Sequence, residues 1–130
     1  MGFQRNLRHE IFNHFFRDEE QGEHEADSIG LFSVEPDEEG AGGTELTGLG
    51  YVRQTIAWNA PAADAITNNG AISFGPAGED WAPIVAWGLW NNAATPELIL
   101  TKTLAAPITI SNGGTLTIGD TDITVELEAA

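Results

Sequence analysis

Between Trp81 and Leu104 the apolar residues gather into two runs, PIVAWGLW and ELILTKTL, with NNAATP between them. The Asn pair and Pro96 favour a turn over a continued strand, so the stretch predicts a β-hairpin. In the first run Ile84, Ala86, Gly88 and Trp90 face one way and Val85, Trp87 and Leu89 the other. Both faces are apolar, which predicts a central strand covered on both sides. Gly88 lies between Trp87 and Trp90 and offers no side chain, which marks a place where another backbone or a Trp ring passes close.

At the start of the chain Phe3, Leu7, Ile11, Phe12, Phe15 and Phe16 recur at helical spacing, leaving Arg5, Asn6, Arg8, His9, Glu10 and Asn13 for the other side. The pattern predicts an amphipathic helix over residues 3–16. A helix of about four turns is marginal alone in water, so its stripe must dock on the chain's own domain or on a neighbouring subunit. Phe12, Phe15 and Phe16 are therefore candidate anchors, and Trp87 and Trp90 join them because strand-borne Trp at near-alternate positions serves cores and subunit interfaces. A membrane-surface helix needs a basic polar face on a cationic protein, and this chain has neither.

The run RDEEQGEHEAD, residues 17–27, is polar and acid-rich and reads as a solvated, mobile connection. After it, SIGLFSV reads as a strand, EPDEEGAGGTELTGLG as an acidic, glycine-rich excursion that cannot bury itself, and GYVRQTIAW as an alternating strand. Arg53 in that strand is placed to pin the Glu35 to Glu45 loop onto the sheet. NAPAADAITNNG then reads as a loop with an Asn69-Gly70 turn, and AISF, PITI, TLTIG and DITVEL as short strands. The expectation is one domain, residues 1–130: an all-β, compact antiparallel sandwich of jelly-roll type over residues 28–127, behind one N-terminal amphipathic helix.

Composition narrows the chemistry. A 130-residue chain without cysteine is large enough to bury a core and has no disulfide, thiolate site or Cys nucleophile. No apolar run approaches a membrane span, and MGFQRNLRHE lacks a signal-peptide core, so a soluble protein made in the cytoplasm is expected. Twenty acidic residues against five basic ones give a formal charge of −15, which repels a phosphate backbone and sets nucleic acid aside. The acidity fits a solubility device, a cation-binding surface or a halophilic setting, where a Debye length of ~3 Å in molar salt removes the self-repulsion.

Few residues converge on a reaction. His9 and His14 are five apart, about 140° round a helix, whereas a zinc helix needs H-E-x-x-H. His24 sits in the acidic connection and reads as solvated. Oxygen ligands for a weak Ca²⁺ or Mg²⁺ site are available at Glu35, Asp37, Glu38 and Glu39, at Glu79 and Asp80, and at Asp120 and Asp122, of which Asp37, Glu38, Glu39, Asp120 and Asp122 are the candidates retained. None has a calcium-hand register, and there is no G-x-S-x-G, phosphate loop or dinucleotide fingerprint, so neither a catalytic residue nor a cofactor site is assigned. Trp58, Trp81, Trp87 and Trp90 offer a sugar-stacking platform as an alternative to core packing.

The ordered segments RNLRHEIFNHFF, GLFSVEP, GTELTGLGYVRQTIAW, ITNNGAISF, EDWAPIVAWGLWNNAATPELILTKTL and ITVEL together resemble the small fibre and head-decoration proteins of tailed bacteriophages and related archaeal tailed viruses. GTELTGLGYVRQ resembles that family's T-E-x-x-G-x-x-Y-x-R block, and W-x-P-I-V-A-W-G-L-W its tryptophan-led strand. The chain departs in its longer connection, Arg17 to Asp27, and in Pro96, where members often have a Gly-Gly turn. The resemblance implies a non-enzymatic virion protein, assembled in the host cytoplasm: a decoration, turret or fibre module that forms a symmetric homo-oligomer, expected as a trimer. Its implied partners are itself and major capsid or tail proteins, with no nucleic acid and no membrane. The alternative is a carbohydrate-binding module of a receptor-binding fibre.

Overall fold

The computed structural model of the chain describes residues 2–18 and 25–126. Strand β1 (Gly2–Phe3) precedes helix α1 (Arg5–Arg17), followed by β2 (Ala26–Val34), β3 (Thr44–Glu45), β4 (Gln54–Thr55), β5 (Ala65–Thr67) and β6 (Ile72–Phe74). The rest are β7 (Ile84–Asn91), β8 (Leu98–Ile108), β9 (Leu116–Ile118) and β10 (Thr124–Glu126). The main sheet runs β1-β8-β7-β2-β3, with β4 also on β2, and two antiparallel ribbons, β10-β5 and β6-β9, stand apart from it. Ile29, Leu31, Trp87, Leu89 and Leu100 of the main sheet pack with Ile72 and Phe74 of one ribbon and with Ile110 and Ile123 beside the ribbons. The chain is the all-β sandwich with one N-terminal helix that its hydrophobic pattern predicts.

The hairpin organises the main sheet. β7 pairs β2 on one side and β8 on the other, and its residues are buried on both faces apart from the half-buried Val85. Asn91 is buried, and its Oδ1 accepts from the N–H of Ala93 (3.3 Å) and of Glu97 (2.9 Å), closing the turn between the strands. Gly88 faces Gly30 across the β2-β7 ladder. A Cβ at Gly88 would lie 2.7 Å from Phe32 Cε2 and 2.9 Å from Leu98 Cδ1, so the close approach is made by a Phe ring and a Leu rather than a Trp.

Several boundaries differ from expectation, each for a backbone reason. Phe3 lies in β1, opposite Leu100, because the edge of β8 offers hydrogen-bond partners, and the helix starts at Arg5 and ends at Arg17. Of the expected connection over 17–27, Ala26 and Asp27 belong to β2, while residues 19–24, with His24, lie outside the described residues, as does Leu127. The expected strand over 50–58 shrinks to Gln54–Thr55. Gly50 takes a φ of 84°, the Tyr51 N–H turns back to the Gly48 carbonyl, and Val52 is 64% exposed. The expected loop over 59–70 contains β5, and PITI is no separate strand, since β8 continues to Ile108.

Asn68 explains how β5 is held. Fully buried, its side-chain amide donates to the carbonyls of Gly70 (2.8 Å) and Gly119 (3.1 Å), and its Oδ1 accepts from the Ile123 N–H (2.8 Å). It supplies the partners that three backbone groups would otherwise lack. The acidic excursion after β2 is also more settled than its composition predicts. Pro36 is buried, and the Glu35 carboxylate accepts from the hydroxyls of Thr101 (3.0 Å) and Thr103 on β8.

Candidate functional site

The block TELTGLGYVR, residues 44–53, and the strand WAPIVAWGLW, residues 81–90, lock together across the main sheet. At one end Trp81 is buried, donates its indole N–H to the Leu49 carbonyl (2.9 Å) and meets the Tyr51 ring edge-on. A Cβ at Gly48 would fall 2.4 Å from Trp81 Cδ1, so only glycine admits the indole there. At the other end the Arg53 guanidinium lies 3.8 Å above the Trp90 ring, which stacks on Phe32 with centroids 5.5 Å apart. Arg53 also grips Glu45 through two bonds of 2.9 Å, from Nε to Oε2 and from Nη2 to Oε1. The planar fork fixes the direction of the carboxylate.

Tyr51 joins the two ends. Its hydroxyl donates to Glu45 Oε2 (2.7 Å) and accepts from the Leu31 N–H (3.0 Å), while its ring stacks on Phe74. Burial, followed by the hydrogen bond to the Glu45 carboxylate, pushes the Tyr51 phenol well above its ordinary value. A raised phenol favours the protonated form in the folded state. Its contribution is complete below the unfolded value of about 10 and is lost as pH rises from there through the folded value. Tyr51 is the single Tyr of the chain, so phenolate absorbance reads it directly. We expect that absorbance to appear only as the protein unfolds, and the melting temperature to fall above about pH 10 more steeply in wild type than in Tyr51→Phe. Equal slopes would show that Tyr51 does not titrate against this environment.

Helix α1 is attached mainly at its beginning. The Gln4 N–H donates to the Ile99 carbonyl and the Arg5 N–H to the Glu38 carbonyl. Arg5 and Arg8 each pair with Glu38 at 2.8 Å, and Arg5 also pairs with Glu39. Hydrogen bonds from Arg8 and Arg5 hold the exposed Glu38 below the usual carboxylate range. Toward the other end Phe12, Phe15 and Phe16 are 57%, 74% and 78% exposed, so they do not dock on the chain's own sandwich. Phe3, Leu7 and Ile11 face the body instead, where they line apolar cavities with residues of β5 and β10. Helix geometry turns Phe12 and Phe16 away, about 140° and 180° round from Leu7, whereas Phe15, about 80° from Leu7, is exposed because α1 is attached mainly at its beginning.

The other anticipated site residues are placed as follows. Trp87 and Trp90, expected among the anchors of an interface, are 5% and 6% exposed and packed within the chain, Trp87 in the core and Trp90 beneath Arg53. The carboxylates considered for a cation do not converge. Glu38 and Glu39 are taken by arginines, Asp37 accepts from the N–H groups of Glu39 and Ala41, Asp120 from that of Gly70, and Asp122 from that of Gly119. Among the described residues no group of three or more His, Asp or Glu is gathered as a metal site. No exposed line of Trp exists either: Trp81, Trp87 and Trp90 are buried, and half-buried Trp58 donates its indole N–H to the Ala26 carbonyl (2.8 Å).

The model of one protein family, described as podophage GP4 fiber I protein gp80, matches residues 2–126 of the chain. No curated protein and no solved structure matches it.

Proposed function

Since the chain belongs to the podophage GP4 fiber I protein gp80 family, we propose that it is a non-enzymatic part of a phage tail fibre, built as a symmetric homo-oligomer and joined to other tail proteins. The family match over residues 2–126 carries the reading, because it spans both interlocked segments and the helix. A fibre position is preferred to capsid decoration because the family's own description is that of a fibre protein. The fold supports a scaffolding role. The bidentate Arg53–Glu45 pair, the Arg53–Trp90–Phe32 stack and the Trp81 anchor make a rigid body from which α1 projects its Phe face. A trimer is the expected oligomer, and assembly takes place in the host cytoplasm.

The test is to disrupt purified particles of the virus that encodes the chain, separate tails from capsids, and probe each fraction with an antibody to the chain. The chain is expected with the tails. Recovery with capsids free of tails would overturn the fibre position in favour of decoration.

A further inference from the structure

Resting on the homo-oligomer reading, we propose that the Phe12, Phe15 and Phe16 face of α1 seats in an apolar groove of a second copy of this chain, between that copy's α1 and its β5-β10 ribbon. The helix face is the first half of the fit. None of the 13 residues of α1 is buried except in part, and a helix of that length is marginal on its own. The rings of Phe12 and Phe16 touch, with centroids 5.9 Å apart, and Phe15 lies beside them on the helix, so the exposed rings form one patch. Leaving three neighbouring Phe in water is costly for a surface that otherwise follows the usual rules.

The groove is the second half. Two cavities, of about 270 and 360 Å³, share Phe3, Ile66 and Val125 as walls and are closed by Leu7 in one and Ile11 in the other. Their combined space suits aromatic side chains, and their lining is almost wholly apolar. Asp64 stands in the lining of the larger one, and exposed Glu126 ends the strand that forms its wall.

Charge selects a second copy as the occupant. The chain carries a net −15, yet Arg5, Arg8 and Arg17, three of its five basic residues, lie on α1. Two copies repel through most of their surfaces; Arg5 and Arg8 are paired with Glu38 and Glu39 of their own chain, so the basic charge of α1 outside those pairs lies in its last turn. His14 and Arg17 flank the Phe patch, so seating the patch brings the helix's basic last turn toward Asp64 in the groove lining. The helix thus supplies both the apolar and the electrostatic complement of a groove that every copy possesses.

The chain lacks cysteine, so cysteine pairs report contacts without background. One preparation carries Phe16→Cys, another Ala65→Cys in the groove wall, and a control Thr117→Cys on the exposed face of β9. Each variant holds one thiol, so a mixed disulfide can form only between chains. Mixing the first two under mild oxidation is expected to give covalent heterodimer at least about tenfold faster than mixing Phe16→Cys with the control, because effective concentration is high only at a formed contact. In parallel, Phe16→Asp should weaken self-association about tenfold or more, read by sedimentation, while leaving the melting temperature of the chain near wild type. If wild type is oligomeric but the cross-link is no faster than control and Phe16→Asp assembles normally, the docking is wrong and the homo-oligomer reading stands. A wild-type chain that remains monomeric, alone and with α1 bound only by another tail protein, overturns both.

Discussion

Trp81→Ala is expected to lower the stability of the chain by about 3–5 kcal/mol, the range for emptying a buried aromatic site. The expectation rests on position as well as size. Trp81 fills the space that Gly48 leaves open, abuts the Tyr51 ring, and adds its indole N–H to the Leu49 carbonyl, which also accepts from the Gly78 N–H. The surroundings cannot collapse into the void easily, because its walls belong to a turn fixed by Gly50 and to the backbone at Ile110, whose carbonyl accepts from the Trp81 N–H of the main chain. For a domain of this size the loss corresponds to roughly 10–20 °C in melting temperature. Trp81→Phe separates the two terms: it keeps most of the volume, removes the indole bond to the Leu49 carbonyl while the Gly78 N–H still donates to that oxygen at 2.8 Å, and should cost about 0.5–1.5 kcal/mol. A loss below about 1 kcal/mol for the alanine variant, measured by urea unfolding, would mean that the two segments are not held together at this point.

Gly30→Val should cost about 3 kcal/mol, at the upper end of what overpacking produces. Valine suits a β-strand, so propensity alone predicts a gain. Space decides otherwise. A Cβ at Gly30 would stand 2.7 Å from Tyr51 Oη, 2.8 Å from Glu45 Oε2 and 2.8 Å from Trp90 Cζ3, so one side chain would push against three members of the interlock at once. These atoms cannot swing aside independently, since Arg53 holds both Glu45 and the Trp90 ring. The variant should therefore also let the Tyr51 phenol ionise closer to its ordinary value, visible as phenolate absorbance at lower pH than in wild type. A valine variant as stable as wild type, with unchanged phenol titration, would contradict the geometry.

The elements legible in the sequence are those specified by local pattern. Two apolar runs around NNAATP are enough to define the β7-β8 hairpin, and apolar residues on both faces of IVAWGLW place it centrally. The role of Arg53 is also legible in part, because a lone basic residue after a run of acids has few places to go. What pattern misses is the geometry of turns. The alternation of GYVRQTIAW looks like one continuous strand, but the left-handed turn at Gly50 and the bond from Tyr51 back to Gly48 interrupt it, so only Gln54–Thr55 pairs as a strand. Asn68 resembles any turn asparagine beside Asn69-Gly70, and nothing local shows that its amide also serves two distant backbone groups, at Gly119 and Ile123. Pattern leaves Trp90 open between core and subunit interface, and only the structure shows Arg53 and Phe32 covering it within the chain. Phe12, Phe15 and Phe16 show the limit from the other side. Their spacing predicts that something must cover them, and among the described residues no surface of the chain does.

The central claim, a structural fibre module present as a few symmetric assemblies on each particle, is tested most directly by copy number. Purified particles are digested and the chain's peptides are quantified by mass spectrometry against an isotope-labelled standard, with a tail protein and the major capsid protein counted in the same run. A fibre predicts a number comparable to the tail protein and a whole multiple of the oligomer measured in solution. A number that tracks the capsid lattice, in the hundreds, would contradict it.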